Sequence, residues 1–268
     1  MTEEEQRAMA AAFAVLTEEV RELALREGAY LFGVAGVDRF EGAPRGHHPA
    51  EIVKGAQTVI SLGIPQVEQV TDWDELFQDS EVLGPDIRKP VLQDYLYVEV
   101  NYNFINDRLN QVAHSIALFL QAKGYRSMLF PATYGHTYRS YQDMVPGWMG
   151  LFSQRHAAVR AGLGEFGLNN VVVTPDYGPR VRFNSVITQA PLEVSPLLQE
   201  KACLGRACDL CVDRCGGQAL RLLPDFDESE VWLNPVSRTD MPLCRTRRKE
   251  VFCHGRCLQV CPVGKHTA

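Results

Sequence analysis

The sequence predicts a mixed α/β (α+β) chain in two parts, a layered domain over residues 1–195 and a cysteine-rich domain over residues 196–268. Three observations carry that expectation. Two long stretches repeat apolar residues at three- and four-residue steps, and short apolar runs closed by Gly or Pro alternate with them. All eight cysteines of the 268-residue chain fall between Cys203 and Cys261. Pro191, Pro196 and the polar stretch between them mark the boundary near residue 195.

The elements are justified in chain order. Thr2 with Glu5 makes a capping box, and Phe13, Leu16, Val20 and Leu23 then share one face, which predicts a first helix of about six turns. Residues 29–35 (AYLFGVA) and 58–64 (TVISLGI) read as buried strands, with a loop rich in Gly, Pro and His between them. Residues 66–94 are polar, acidic and weakly periodic, and read as a long excursion. Residues 95–100 open a new segment, and Leu109, Val112, Ile116 and Leu120 mark one face of a helix that stops at Gly124. Residues 125–130 read as a strand. The stretch PATYGHTYRSYQDMVPGWMG, residues 131–150, sets Tyr134, Tyr138, Tyr141 and Trp148 among turn residues and reads as a binding loop. A short helix over 155–162 and strands over 170–174 and 181–188 complete the layer.

Composition suits a packed interior, with 46% hydrophobic and 22% charged residues. No apolar run is long enough to span a bilayer, and the N-terminal MTEEEQRAMAAAF is acidic, without the basic region of a secretory signal or a twin-Arg pair. The expectation is a cytoplasmic protein with no membrane partner. Residues 200–268 carry 11 basic against 9 acidic side chains, while residues 1–199 carry 16 against 24. The one basic run, Arg245-Thr246-Arg247-Arg248-Lys249, reads as a solvated face beside anionic clusters rather than a nucleic-acid patch.

The cysteine order is Cys203, Cys208, Cys211, Cys215, then Cys244, Cys253, Cys257, Cys261, with Pro262 after the last. In a two-cluster iron–sulfur plan, three close thiolates hold most of one [4Fe–4S] cube and the fourth crosses to the other cluster. Cys203, Cys208, Cys211 and remote Cys261 would hold cluster A. Cys244, Cys253, Cys257 and remote Cys215 would hold cluster B. Four residues separate Cys203 from Cys208 where two are usual, three separate Cys253 from Cys257, and Gly216-Gly217 replaces a proline after Cys215. Two four-cysteine zinc sites and a disulfide framework are the competing readings. The spacing favours two clusters and hence electron transfer.

Residues 155–183, RHAAVRAGLGEFGLNNVVVTPDYGPRVRF, hold the second informative motif. The glycines at 162, 164 and 167 are spaced G-x-G-x-x-G, but between a short helix and a strand, the reverse of a dinucleotide-binding fingerprint, so NAD is not expected. With AGLGEFGLNNVVVTPDYGPRVRF, the earlier VISLGIP and the eight-cysteine tail, the chain resembles the corrinoid iron–sulfur reductases, the family of epoxyqueuosine reductase and the respiratory reductive dehalogenases. The resemblance covers about residues 25–265. It implies a nitroreductase-like cobalamin-binding domain over 1–195, followed by a two-[4Fe–4S] ferredoxin-like domain over 196–268. Base-off cobalamin would lie between the two, and the chain has no D-x-H-x-x-G motif to supply a histidine to cobalt.

The resemblance also implies site residues. Gly162, Leu163, Gly164, Asn169, Asn170, Thr174, Tyr177 and Gly178, with His136 and His156 in flanking loops, would bind the corrinoid. A proton would come from Tyr134, Tyr138 or Tyr141, with Arg180 lowering the donor's pKa or binding a leaving anion. The Asp-Ser-Ala-Pro stretch of epoxyqueuosine reductases is matched here by Trp148-Met149-Gly150-Leu151, and their G-W-x-G-K by Gly164-Glu165-Phe166-Gly167-Leu168. The helical repeats that would grip tRNA are missing before Ala268, so tRNA is not expected as a partner. The expected function is reductive cleavage of a small-molecule substrate, with electrons from a low-potential donor such as a ferredoxin or flavodoxin. The alternative is a non-catalytic protein that transfers electrons to, or reduces and handles cobalamin for, a corrinoid partner.

Overall fold

A computed structural model describes residues 2–72, 89–133, 150–251, 253 and 255–266. The chain divides into two compact units, each assembled from separated segments. One comprises residues 1–64, 106–163 and 182–197. The other comprises 65–105, 164–181 and 198–268. The last crossing comes after Leu197. Two earlier segments are packed with the cysteine-rich tail.

The first unit is built on helix α1, Glu3–Glu27. Thr2 caps it, its hydroxyl accepting from the Glu5 N–H while the Glu5 carboxylate accepts from the Thr2 N–H, and Gly28 ends it in a left-handed conformation. Strands β1 (Leu31–Gly36) and β2 (Thr58–Pro65) pair antiparallel, Ala35 opposite Val59. β2 is buried at every residue before Pro65, as expected of a strand covered on both faces. The sheet runs in the order β1-β2-β6-β3, with β6 at Val181–Thr188 and β3 at Ser127–Leu129.

β3 and β6 are antiparallel. The Gln57 N–H donates to the Thr188 carbonyl and the Gln66 N–H to that of Arg180, so β2 and β6 also run in opposite directions. This all-antiparallel sheet settles the expected fold class as α+β rather than a parallel α/β layer. Its core gathers Ala35, Val59 and Ile187 from three strands with Phe40, Phe130, Phe152 and Ala157. Phe152 stacks on Phe130 at 5.8 Å between ring centroids and tilts against Phe40 at 5.9 Å.

Residues 95–100 do not open a new segment. They continue a helix that begins over Lys89–Leu96, widens into a π-helical stretch over Tyr97–Phe104, and runs on over Ile105–Ala122. The wide turn faces the buried Asn101 amide toward Val67. Its Oδ1 accepts from the Val67 N–H and its Nδ2 donates to the Val67 carbonyl, both at 2.9 Å, as a strand neighbour would. Leu109, Val112, Ile116 and Leu120 form the buried face of the helix Ile105–Ala122, as their spacing predicts.

In the second unit the glycine-rich motif is a β-hairpin. β4 (Glu165–Phe166) pairs antiparallel with β5 (Val172–Val173), and the turn is closed by Asn170 at a φ of 60°. The expected strand over 170–174 is therefore the second half of a pair whose first half lies inside the glycine run. β7 (Leu220–Leu222) and β8 (Ser237–Thr239) form a second small antiparallel pair among the cysteines.

Candidate iron–sulfur site

The cysteine loops use the chemistry of their intervening residues. The four residues between Cys203 and Cys208 are taken up by a tight turn over Gly205–Ala207, opened by Gly205 at a φ of +65°. Leu210–Asp213 then winds one helical turn around Cys211. After Cys215 the chain doubles back with Gln218 at a φ of 46°, so that the Gln218 N–H donates to the Cys215 carbonyl and the Ala219 N–H to its Sγ at 3.3 Å. Gly255, at a φ of +106°, opens the turn Arg256–Gln259 that carries Cys257. Both departures from the usual spacing thus have a local backbone solution.

None of the eight cysteines is joined in a disulfide. Cys203, Cys208, Cys211 and Cys261 line one cavity with Leu168, Val173 and Val263, and about 350 Å³ of atom-free space lies there, part of it open to solvent. The Cys211 thiol is pushed up to about 12 by burial and then by the neighbouring Cys203, Cys261 and Cys208 sulfurs. Burial also raises Cys203 and Cys261. The Cys257 thiol is raised by burial and then by Cys253, Cys211, Cys244 and Cys215. Cys211 thus feels Cys203, Cys261 and Cys208, and Cys257 feels Cys253, Cys211, Cys244 and Cys215.

A set of thiols gathered in a low-dielectric space, each disfavouring ionisation of the others, is stabilised when metal replaces their protons. Among the described residues no three His, Cys, Asp or Glu side chains converge on one point as for a single ion. A cubane takes one thiolate at each iron and spreads its four ligands around a volume. The cavity of Cys203, Cys208, Cys211 and Cys261 fits that donor set.

The residues expected to touch a corrinoid have other neighbours in the structure. A Cβ on Gly162 would stand 2.0 Å from the Pro196 carbonyl oxygen, on Gly164 2.4 Å from that of Val173, and on Gly178 2.0 Å from that of Val263. Each glycine is thus required by close backbone approach. Leu163 packs against the aromatic core of the first unit. Asn169 Nδ2 donates to the Cys257 carbonyl, and Asn170 Nδ2 to Thr239 Oγ1. Thr174 Oγ1 donates to the Gly178 carbonyl and accepts from the Tyr177 N–H, while the Tyr177 ring meets His266 edge-on. His156 Nδ1 lies 2.7 Å from Ser153 Oγ, and burial, with Arg155 and Arg160 nearby, lowers its pKa to about 4. Tyr134, His136, Tyr138 and Tyr141 lie outside the described residues.

Arg180, expected to assist proton delivery, is 2% exposed and works on the backbone. Its Nη1 donates to the Leu258 and Cys261 carbonyls, both at 3.0 Å, and its Nη2 to that of Val263 at 2.5 Å. The guanidinium fork thus clamps the loop that carries Cys261.

Sequence reasoning missed Glu165. Its carboxylate is fully buried, and Oε1 accepts from the Ala202 and Cys203 N–H groups at 2.7 Å each. Oε2 accepts from the Trp232 N–H at 2.8 Å, and Lys201 Nζ stands 3.5 Å away. The only sequence sign was a charge between Gly164 and Phe166 in an otherwise apolar motif.

No protein-family model matches the chain. Over 113 residues it is 34% identical to tetrachloroethene reductive dehalogenases of Desulfitobacterium hafniense and Dehalobacter restrictus, a match that spans 41% of this chain and 17% of those proteins. The fold is similar to that of an epoxyqueuosine reductase solved with a tRNA-Tyr epoxyqueuosine-modified stem loop, with a TM-score of 0.58 at 18% identity over 94% of this chain and 66% of that one. A catabolic reductive dehalogenase in complex with 3-bromo-4-hydroxybenzoic acid gives a TM-score of 0.58 at 16% identity, over 94% of this chain and 32% of that one. A reductive dehalogenase whose structure suggests a mechanism for B12-dependent dehalogenation gives 0.58 at 15% identity, over 96% and 32%. The chain spans about two thirds of the first, a third of the dehalogenase structures and a sixth of the curated relatives.

Proposed function

We propose that the protein is a cobalamin-dependent iron–sulfur reductase acting on a small molecule. The observation that carries this reading is the convergence of Cys203, Cys208, Cys211 and Cys261 on one cavity, in a chain with the fold of epoxyqueuosine reductase and reductive dehalogenases. In this reading Cys215, Cys244, Cys253 and Cys257 hold the second [4Fe–4S] cluster, and residues 196–268 serve as a two-cluster ferredoxin-like part. A nitroreductase-like part over residues 1–195 binds the corrinoid. The clusters supply low-potential electrons, and base-off cobalamin supplies a reducible metal able to open a carbon–heteroatom bond.

The chain's own residues have definite tasks in this proposal. Arg180 and Gly178 fix the loop of Cys261, and Asn169 fixes that of Cys257. Asn106 is buried, with Nδ2 unpaired while Oδ1 accepts from Arg182 Nε. A free donor of that kind suits a ligand edged with amide carbonyls, as cobalamin is. Tyr134, Tyr138 and Tyr141 remain the candidates for proton donor, and His136 and His156 for contacts to the corrinoid or substrate. A ferredoxin or flavodoxin serves as donor, and the protein works in the cytoplasm. No helix among the described residues is long and apolar enough to cross a membrane.

Anaerobic purification with metal analysis, followed by titration with cobalamin, tests the reading. About eight iron atoms per chain, with micromolar or tighter uptake of cobalamin in its base-off form, are expected. Two zinc atoms and no iron would sink it. Iron without cobalamin uptake would leave only the electron-transfer function.

A further inference from the structure

We propose that Glu165 and Lys201 set the reduction potential of the cluster held by Cys203, Cys208, Cys211 and Cys261, the buried carboxylate lowering it and the ammonium offsetting it. The proposal rests on the reading that these four cysteines hold an iron–sulfur cluster.

Glu165 stands in β4, with its side chain fully buried against the start of the Cys203 loop. Its Oε1 takes the N–H of Cys203 itself, 2.7 Å away, together with that of Ala202. The placement acts in two ways. A negative charge is fixed one residue's width from a ligand sulfur, in a place where water cannot screen it. The Ala202 and Cys203 amides are also engaged by carboxylate and so withheld from cluster sulfur. Reduction adds negative charge, and hydrogen bonds to sulfur favour the reduced state, so both effects push the potential down.

Lys201 acts with the opposite sign. Its Nζ stands 3.5 Å from Glu165 Oε2, donates to the Glu230 carbonyl at 2.7 Å, and lies 3.4 Å from the centroid of the Trp232 ring. The Trp232 N–H in turn donates to Glu165 Oε2. Three backbone amides and one ammonium therefore hold the carboxylate in a single position. That geometry anchors the loop, as a structural role alone would require. The sign of the two charges distinguishes tuning from anchoring, because a loosened loop would not respond in opposite directions to loss of opposite charges.

The experiment is a potentiometric titration of the anaerobically purified full chain, followed by electron paramagnetic resonance, with iron and sulfide measured on every sample. E165Q keeps the side-chain volume and an oxygen for Ala202 and Cys203 while removing the charge. It should raise the potential of one cluster by about 59 mV, a tenfold change in the reduced-to-oxidised ratio at fixed poise for a one-electron couple. The second cluster should stay in place as an internal reference. K201M should move the same cluster downward. If both variants keep their iron and neither shifts, or both shift the same way, the proposal is overturned. If E165Q loses its iron, the sign for K201M decides: downward supports tuning, and no shift or an upward one overturns it. Wild-type protein without iron removes the cluster reading first, and a wild type with two clusters but unresponsive variants removes only this proposal.

Discussion

Replacing Arg180 with methionine removes three charge-assisted hydrogen bonds while keeping an apolar stem in a buried site. The carbonyls of Leu258, Cys261 and Val263 lose their donor together. A hydrogen bond to a charged group contributes about 1.5–3 kcal/mol, and an orphaned buried acceptor costs about 1–3 kcal/mol. Water can reach part of this loop through the open side of the cavity, so the net loss should be about 3–5 kcal/mol. Felt by the whole fold, that is a fall in Tm of roughly 5–10 °C for a chain of this size.

The effect should be local first, because all three acceptors lie on the segment that presents Cys261. R180M is therefore expected to lose about half of its iron during anaerobic purification, with the signal of one cluster fading before the other. R180K, which keeps the charge but not the planar fork, should fall between. The assay combines iron content, electron paramagnetic resonance and thermal denaturation under anaerobic conditions. A different outcome would refute the reasoning: full iron content and unchanged Tm in R180M, with only turnover reduced, would mean that Arg180 acts on substrate and not on the loop.

Three further expectations rest on the same geometry. Cys261→Ala should abolish the cluster of Cys203, Cys208 and Cys211, and Cys215→Ala that of Cys244, Cys253 and Cys257, each leaving about half the iron; loss of the adjacent set instead would break the interleaved assignment. Gly178→Ala drives a Cβ to 2.0 Å from the Val263 carbonyl and should cost iron, whereas Gly162→Ala, equally close to Pro196, should lower Tm with iron retained. His156, with a folded pKa of about 4 against 6.5 unfolded, binds fewer protons folded than unfolded between those values, so its stabilising contribution is complete above pH 6.5 and is lost as pH falls toward 4. The decline in Tm from about pH 7.5 to about pH 5.5 should be shallower in His156→Gln, and an unchanged slope would contradict the buried neutral imidazole.

Features dictated by a period or a spacing are legible in the sequence. The helix Ile105–Ala122 and strands β2 and β6 bury the residues their patterns predict, and α1 buries Leu16, Val20 and Leu23 with Phe13 half-buried, because burial of one face is what creates those patterns. That Cys203, Cys208 and Cys211 share one cavity is equally legible, since loops of a few residues keep them close, whereas the arrival of Cys261 there depends on a contact made far along the chain. The π-helical stretch is not, because Tyr97–Phe104 carries no local signal for a widened turn; its cause is Asn101 pairing with Val67, 34 residues away. Glu165 is hidden for the same reason. Its partners are 37, 38 and 67 residues further along the chain.

As sequence, the hairpin segment and the cysteine tail read as two devices, a corrinoid cradle and a source of electrons. Their contacts make residues 164–181 a support for the tail. Glu165 holds the amides of Ala202, Cys203 and Trp232, Asn169 holds the Cys257 carbonyl, Asn170 holds Thr239, and Arg180 holds Leu258, Cys261 and Val263. Residues 196–268 by themselves would exchange those bonds for water, losing about 0.5–1.5 kcal/mol for each neutral pair and about 1.5–3 kcal/mol for each bond to a charged group. The glycines serve the same end, since Gly178 admits Val263 to a distance no side chain would permit. The motif whose resemblance implies cobalamin thus acts structurally on the cysteine-rich side. A change there must be measured for iron before any effect on the corrinoid is assigned to it.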